Sequence, residues 1–186
     1  MNHLSPLPKR KHPRLSSFDY DSAGSYFITI CTQNRRCVLS RMVEENLTHT
    51  TFDTNAETVQ QPSCLRVKVE YTPFGKIAEE QLLDLEKRFP SLSVDRYVIM
   101  PNHIHVILTL RDSAGASPRP TVMDVISAFK SLTTRKCKAL SFPSTKLFQT
   151  SFYDHVIRDR EDYEKHVKYI WENPDRWYYD ELYTAE

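Results

Sequence analysis

Residues 97–110 read YVIMPNHIHVILTL, and the His103-Ile104-His105 triplet inside this apolar run constrains the fold more than any other stretch. Side chains in a β-strand alternate with a period of two, so His103 and His105 share one face while Ile104, Val106 and Leu108 share the other. Two imidazoles on one face of a buried strand are half of a site for a divalent cation. Pro101-Asn102 suits a tight turn. The spacing therefore predicts an antiparallel pair, residues 94–100 and 103–110, with the histidines close to the end of the sheet.

The rest of the chain supplies the partners for that pair. Residues 26–33, rich in β-branched and aromatic side chains, read as a strand. Asn34-Arg35-Arg36 reads as the tip of a hairpin returning through a short strand at 37–39. Residues 40–64 lack a sustained period and read as a loop or insertion, whereas 65–71 alternate as a half-buried strand does. Thr72 then serves as N-cap and Pro73 as first residue of a helix that Pro90 stops. A second helix is predicted from Thr121 to about Leu140, a strand near 152–157, and a last helix that opens on Asp159 and Asp162 and ends before Pro174. This order describes an α+β sandwich of the ferredoxin-like kind, an antiparallel sheet with helices packed on one face.

At 186 residues and 40% hydrophobic content, one domain with a real core is expected, spanning 19–186 behind a basic arm at 1–18. The net charge of +1 gives no global field. The arm, however, gathers Lys9, Arg10, Lys11 and Arg14 among prolines, as a segment lying along a phosphate backbone would, and a solvated tail has the same composition. Arg35, Arg36, Lys130, Arg135 and Arg158 are further candidate DNA contacts. Four cysteines without C-x-x-C spacing argue against a structural zinc site and a disulfide framework. No run reaches the roughly 18 apolar residues of a membrane span, and no signal peptide is visible, so a cytoplasmic protein without a membrane partner is expected. Three glycines leave no loop to cradle a nucleotide cofactor.

On the last helix, with about 100° per residue and Tyr163 at zero, Val167, Ile170 and Trp171 define the face turned to the sheet. Tyr169 and Asn173 fall beside that stripe as i, i+4 neighbours. Two histidines with an oxygen ligand make an open site able to polarise a phosphoryl oxygen. A tyrosine hydroxyl, with its usual pKa of about 10, is a poor nucleophile until the phosphate is activated or a base takes its proton. His166 and Asp162, on the same helix, and His155 are the candidate supporting groups.

The block PNHIHVI at 101–107, followed by HVKYIWENP at 166–174, resembles the REP-associated tyrosine transposases, single-tyrosine members of the HUH nuclease superfamily. Phe18-Asp19-Tyr20, YFITICTQNR at 26–35 and FYDHVIR at 152–158 resemble blocks of that family in the same order. The resemblance implies a ferredoxin-like fold that cuts single-stranded DNA, often beside a hairpin. It implies that Tyr169 attacks the phosphate and becomes joined to the 5′ end, and that His103 and His105 bind Mg²⁺ or Mn²⁺. Asn173 would complete the metal site, where many relatives carry Gln. A monomer is expected, with a homodimer exchanging helices as the alternative. The competing functional reading is a binding module of the same fold that grips hairpin or single-stranded nucleic acid without cutting it. A metal hydrolase built on the HxH triplet lacks the Asp-His continuation of one such motif, since Val106 and Ile107 follow.

Overall fold

The computed structural model describes residues 23–46, 65–112, 120–144 and 146–184. The basic arm, with Lys9, Arg10, Lys11 and Arg14, and most of the 40–64 insertion lie outside the described residues. The elements are β1 (Gly24–Cys31), β2 (Ser40–Asn46), β3 (Leu65–Tyr71), α1 (Pro73–Arg88), β4 (Leu92–Ile99), β5 (His103–Leu110), α2 (Val122–Ala139), β6 (Tyr153–Ile157) and α3 (Arg160–Glu172), with 3₁₀ turns at Gln33–Arg35 and Trp177–Tyr179.

Four strands form an antiparallel sheet in the order β4-β5-β1-β6. Set aside β2, β3 and α3, and the chain runs β-α-β-β-α-β with the two inner strands β5 and β1 side by side, the ferredoxin-like arrangement expected from the sequence. The strand that carries the histidines is thus paired on both sides, with Thr29 opposite His105 and Cys31 opposite His103 on β1.

The two faces of the sheet are covered differently, which corrects the expectation that all helices share one face. Tyr26, Ile28 and Ile30 of β1 and Ile104, Val106 and Leu108 of β5 pack on Ala78, Leu82 and Leu85 of α1 and on Val125, Ile126 and Phe129 of α2. The opposite parity, Phe27 and Ile107 with Val98 and Met100, packs on Tyr163, Val167 and Ile170 of α3 and on Trp177. Strand alternation makes this division unavoidable. His103 and His105 belong to the parity that faces α3.

A second correction concerns the first hairpin. The 37–39 segment does not return along β1; the chain leaves β1 through the 3₁₀ turn, and Thr32 N–H and Leu39 N–H donate to the carbonyls of Asn102 and Pro101. It then forms β2, inside the stretch read as a loop, and β2 pairs with β3 as a separate two-stranded ribbon. Helix α1 starts where the sequence places it: Thr72 Oγ1 accepts from Gly75 N–H at 3.1 Å, and Pro73 occupies the first position. The helix start is docked on the segment before β2, with Thr72 N–H donating to Leu39 O at 2.9 Å. A Cβ at Gly75 would lie 1.9 Å from that same carbonyl, so the close approach requires glycine.

Candidate functional site

Helix α3 is capped as its sequence predicts, Asp159 accepting from Asp162 N–H at 2.8 Å, and its buried stripe passes over the histidine end of β5. Only part of the wheel expectation holds. Ile170 is buried, but Trp171 is 76% exposed, so the stripe is narrower than the four residues assigned to it. Asn173, at the helix end, is buried, and Tyr169 stays 44% exposed at the rim.

His103 and His105 are fully buried, their ring centroids 4.5 Å apart. Each is held through Nδ1. His103 Nδ1 lies 2.8 Å from Asn102 Oδ1, and the Asn102 amide is oriented by donating Nδ2 to Leu182 O at 2.7 Å and to Thr184 Oγ1 at 3.1 Å. An amide oxygen only accepts, so His103 carries its proton on Nδ1 and keeps the Nε2 lone pair free. His105 Nδ1 is held by Thr29 Oγ1 at 2.8 Å. The Nε2 atoms of both rings are buried without a hydrogen-bond partner, and so is Asn173 Oδ1.

Burial pushes His103 down to about 3, helped by the Arg35 charge and opposed by Asn173; burial and then the His103 ring hold His105 well below the ordinary imidazole range. Both rings are neutral at pH 7, the protonation state that binds metals. Orphaned lone pairs on neutral imidazoles are what a cation site requires and what an apolar core avoids. Two imidazole nitrogens with carboxylate and amide oxygens beside them fit a divalent cation.

Sequence reading missed Asp180. Its carboxylate groups with His103 and His105, one ligand atom from each lying within 4.8 Å of the others. Asp180 is positioned by the segment after the second 3₁₀ turn, accepting from Asn173 Nδ2 at 3.0 Å and from Leu182 N–H at 2.6 Å. It lies seven residues beyond Asn173 in a region with no apolar period, and its only sequence signal is an acid directly after the Trp177-Tyr178-Tyr179 run.

Tyr169 stands edge-on to His105 at 5.1 Å and to Phe27 at 5.8 Å. Burial, and then the Asp180 charge, push its hydroxyl up to about 12, while Asn173 works in the opposite direction. The hydroxyl is therefore protonated at neutral pH. Phe27, Thr29, His105, Tyr153, Tyr169 and Asp180 border a cleft of about 580 Å³.

The other expected residues are distributed less closely. His155 Nε2 lies 2.8 Å from Asp162 Oδ2, His166 Nδ1 donates to Asp162 O at 2.7 Å, and the two rings stack at 4.7 Å. This triad also brings its ligand atoms together, but they are bonded to one another and tie β6 to the first turns of α3. Lys130 spends its donors on the carbonyls of Gln149, Thr150 and Ser151, and burial pushes it down to about 8. Arg36, Arg135 and Arg158 are exposed, and Arg35 lies between the site and the surface, its Nη1 donating to Glu181 O at 3.3 Å. Arg135 belongs to α2, on the sheet face away from the histidines.

No protein-family model matches the chain. An uncharacterized protein of Haemophilus influenzae is 26% identical over 191 residues, covering 94% of this chain and 93% of the relative. A REP-associated tyrosine transposase of Escherichia coli is 28% identical over 88 residues, 47% of either chain. The structure of a REP-associated tyrosine transposase bound to a REP hairpin superposes with a TM-score of 0.52 at 21% identity, over 83% of this chain and 68% of that one. The chain resembles the REP-associated tyrosine transposases. The transposase-like fold is the four-stranded sheet with its helices, and among the described residues no helix is long and apolar enough to cross a membrane.

Proposed function

We propose that this chain nicks and rejoins single-stranded DNA beside hairpins, with Tyr169 as nucleophile and a divalent cation bound at His103 and His105. The observation that carries the reading is the set of three buried, partnerless atoms, His103 Nε2, His105 Nε2 and Asn173 Oδ1, beside a half-exposed tyrosine. His103 and His105 would hold the ion through Nε2, with Asp180 and Asn173 offering oxygens. A bound Mg²⁺ or Mn²⁺ polarises the phosphoryl oxygen and offsets charge at the attacked phosphate.

The protein's own contribution is placement. The Tyr169 oxygen forms a bond to phosphorus as the bond from phosphorus to the 3′ oxygen breaks; the tyrosine gives up its proton and the departing 3′ oxygen takes one up, leaving a 5′-phosphotyrosine and a free 3′ hydroxyl. The phosphotyrosine conserves the ester for rejoining, so no nucleotide cofactor is needed. The Asp180 charge raises the Tyr169 hydroxyl, so neutralising that carboxylate would ease loss of the tyrosine proton. The resemblance to a protein whose structure holds a REP hairpin supports hairpin DNA as the substrate class.

The test uses a labelled single-stranded oligonucleotide with a hairpin, incubated with Mn²⁺ and run on a denaturing gel. Wild type should give a covalent protein-DNA adduct and Tyr169→Phe none. Equal adduct from the variant rejects Tyr169 as nucleophile, and DNA binding without any adduct from wild type favours the non-cutting module.

A further inference from the structure

The chain pairs with the end of β1 before it forms β6, and the two pairings differ in register. Tyr153 of β6 stands opposite Thr29. Phe148 stands opposite Thr32, with Gln33 N–H donating to Leu147 O at 2.8 Å and Gln149 N–H to Cys31 O at 2.9 Å. Between these pairs one side has Ile30 and Cys31, whereas the other has Gln149, Thr150, Ser151 and Phe152. The excess makes a wide bulge on the approach to β6, an edge strand of the sheet.

Lys130 of α2 fills that bulge. Its Nζ donates to the carbonyls of Gln149 at 2.9 Å, Thr150 at 3.2 Å and Ser151 at 3.0 Å. Successive carbonyls of a strand point to opposite sides, so three in a row that converge on one nitrogen mark a backbone curled around it. With its pKa pushed down to about 8, the amine is still mostly an ammonium at pH 7, and its three protons match the three carbonyls one to one. The same nitrogen sits 5.2 Å over the ring of Phe152, which is buried in the core beneath α1 and α2. One side chain thus fixes both the curled backbone and its apolar anchor.

The other side of the bulge faces the chemistry. Gln149, Ser151, Phe152 and Tyr153 border the same cleft as Tyr169 and His105. Lys130 belongs to α2, on the sheet face away from the histidines, so it acts on the cleft through the bulge.

We infer that Lys130 is a positioning residue of the Tyr169 cleft, its ammonium holding the 149–152 bulge in the shape that makes one wall of that cleft. The inference rests on the nicking function proposed above, and it removes Lys130 from the cations expected to touch DNA. Without the ammonium three carbonyls lose their donor, and the wall loses its fixed shape.

The experiment compares wild type with Lys130→Met, which keeps the stem and removes the donors, and with Lys130→Arg, which keeps charge and donors. Hydrogen exchange read by mass spectrometry at pH 7 should be faster in Lys130→Met across 147–153 and unchanged in β4 and β5. With a labelled hairpin oligonucleotide and Mn²⁺, the adduct rate of Lys130→Met at saturating DNA, per folded molecule, should fall about 10–100-fold. The half-saturating DNA concentration should change less than the rate, and Lys130→Arg should recover part of the loss. In anisotropy titrations of the same hairpin the slope of log K against log salt should match wild type, because an ammonium spent on carbonyls displaces no counterion from DNA. A slope smaller by about 0.7 marks Lys130 as a phosphate contact and overturns the inference. Unchanged exchange at 147–153, an unchanged adduct rate, or faster exchange spread over the whole sheet overturns it as well. A wild type that forms no adduct rejects the nicking function, and faster exchange confined to 147–153 with an unchanged salt slope then still upholds Lys130 as the holder of the cleft wall.

Discussion

Acidification should destabilise this protein through the two buried histidines before Asp84, Asp124 and Asp162 contribute. In the unfolded chain a histidine takes up a proton near pH 6.5; folded His103 refuses it until about pH 3. Between those limits the unfolded state binds one more proton, so stability falls as pH falls, by about 1.4 kcal/mol per pH unit once well below 6.5. By pH 4 His103 alone removes about 3 kcal/mol, a large share of the roughly 5–15 kcal/mol that holds a domain together. His105, depressed by burial in the same way, adds a loss of the same sign. Asp84, Asp124 and Asp162 are held below the ordinary value of 3.8, so their contributions are complete above it and are lost only at lower pH. Urea unfolding followed by tryptophan fluorescence at pH 7, 6, 5 and 4, without added metal, reads the slope. The same series on His103→Gln should be flatter by about 1.4 kcal/mol per unit between pH 6 and 4. Parallel curves for the two proteins would refute the claim that His103 is buried neutral.

Two further outcomes follow from the site's supports and from the fold. Thr29→Val removes the hydroxyl that orients the His105 ring and should weaken Mn²⁺ binding about 10–100-fold, read by titration calorimetry; unchanged affinity would mean that Thr29 does not orient a ligand. Gly75→Ala drives a methyl into Leu39 O and should cost about 1–3 kcal/mol, read as a lower urea midpoint with the DNA-adduct yield per folded molecule unchanged.

Much of this fold is legible because its signals are local. The turn at Pro101-Asn102, the cap at Thr72 and the Asp159 cap each fix an element boundary from a few adjacent residues. The ribbon is not legible in that way. Sequential strands usually pair, which favours β1 with the 37–39 segment, whereas the actual partner of β2 lies beyond an insertion of no visible period. Trp171 misleads because a helix wheel gives direction but not how far the contact extends around the helix. The parity of β5 did contain the division of helices between faces. Ile104, Val106 and Leu108 need cover from one layer, and histidines that meet a residue of the last helix need that helix on the other. Asp180 required the path of the chain after Pro174, which no periodicity specifies.

Among the described residues, β2 and β3 pair only with each other, so the ribbon shares no ladder with the sheet that carries the histidines. A change of length in the ribbon would therefore leave the register of every site residue in the four-stranded sheet unshifted. Such a ribbon is a place where relatives could diverge in what they grip while keeping one chemistry. A swap of residues 47–64 between two of them would ask whether recognition travels as a cassette.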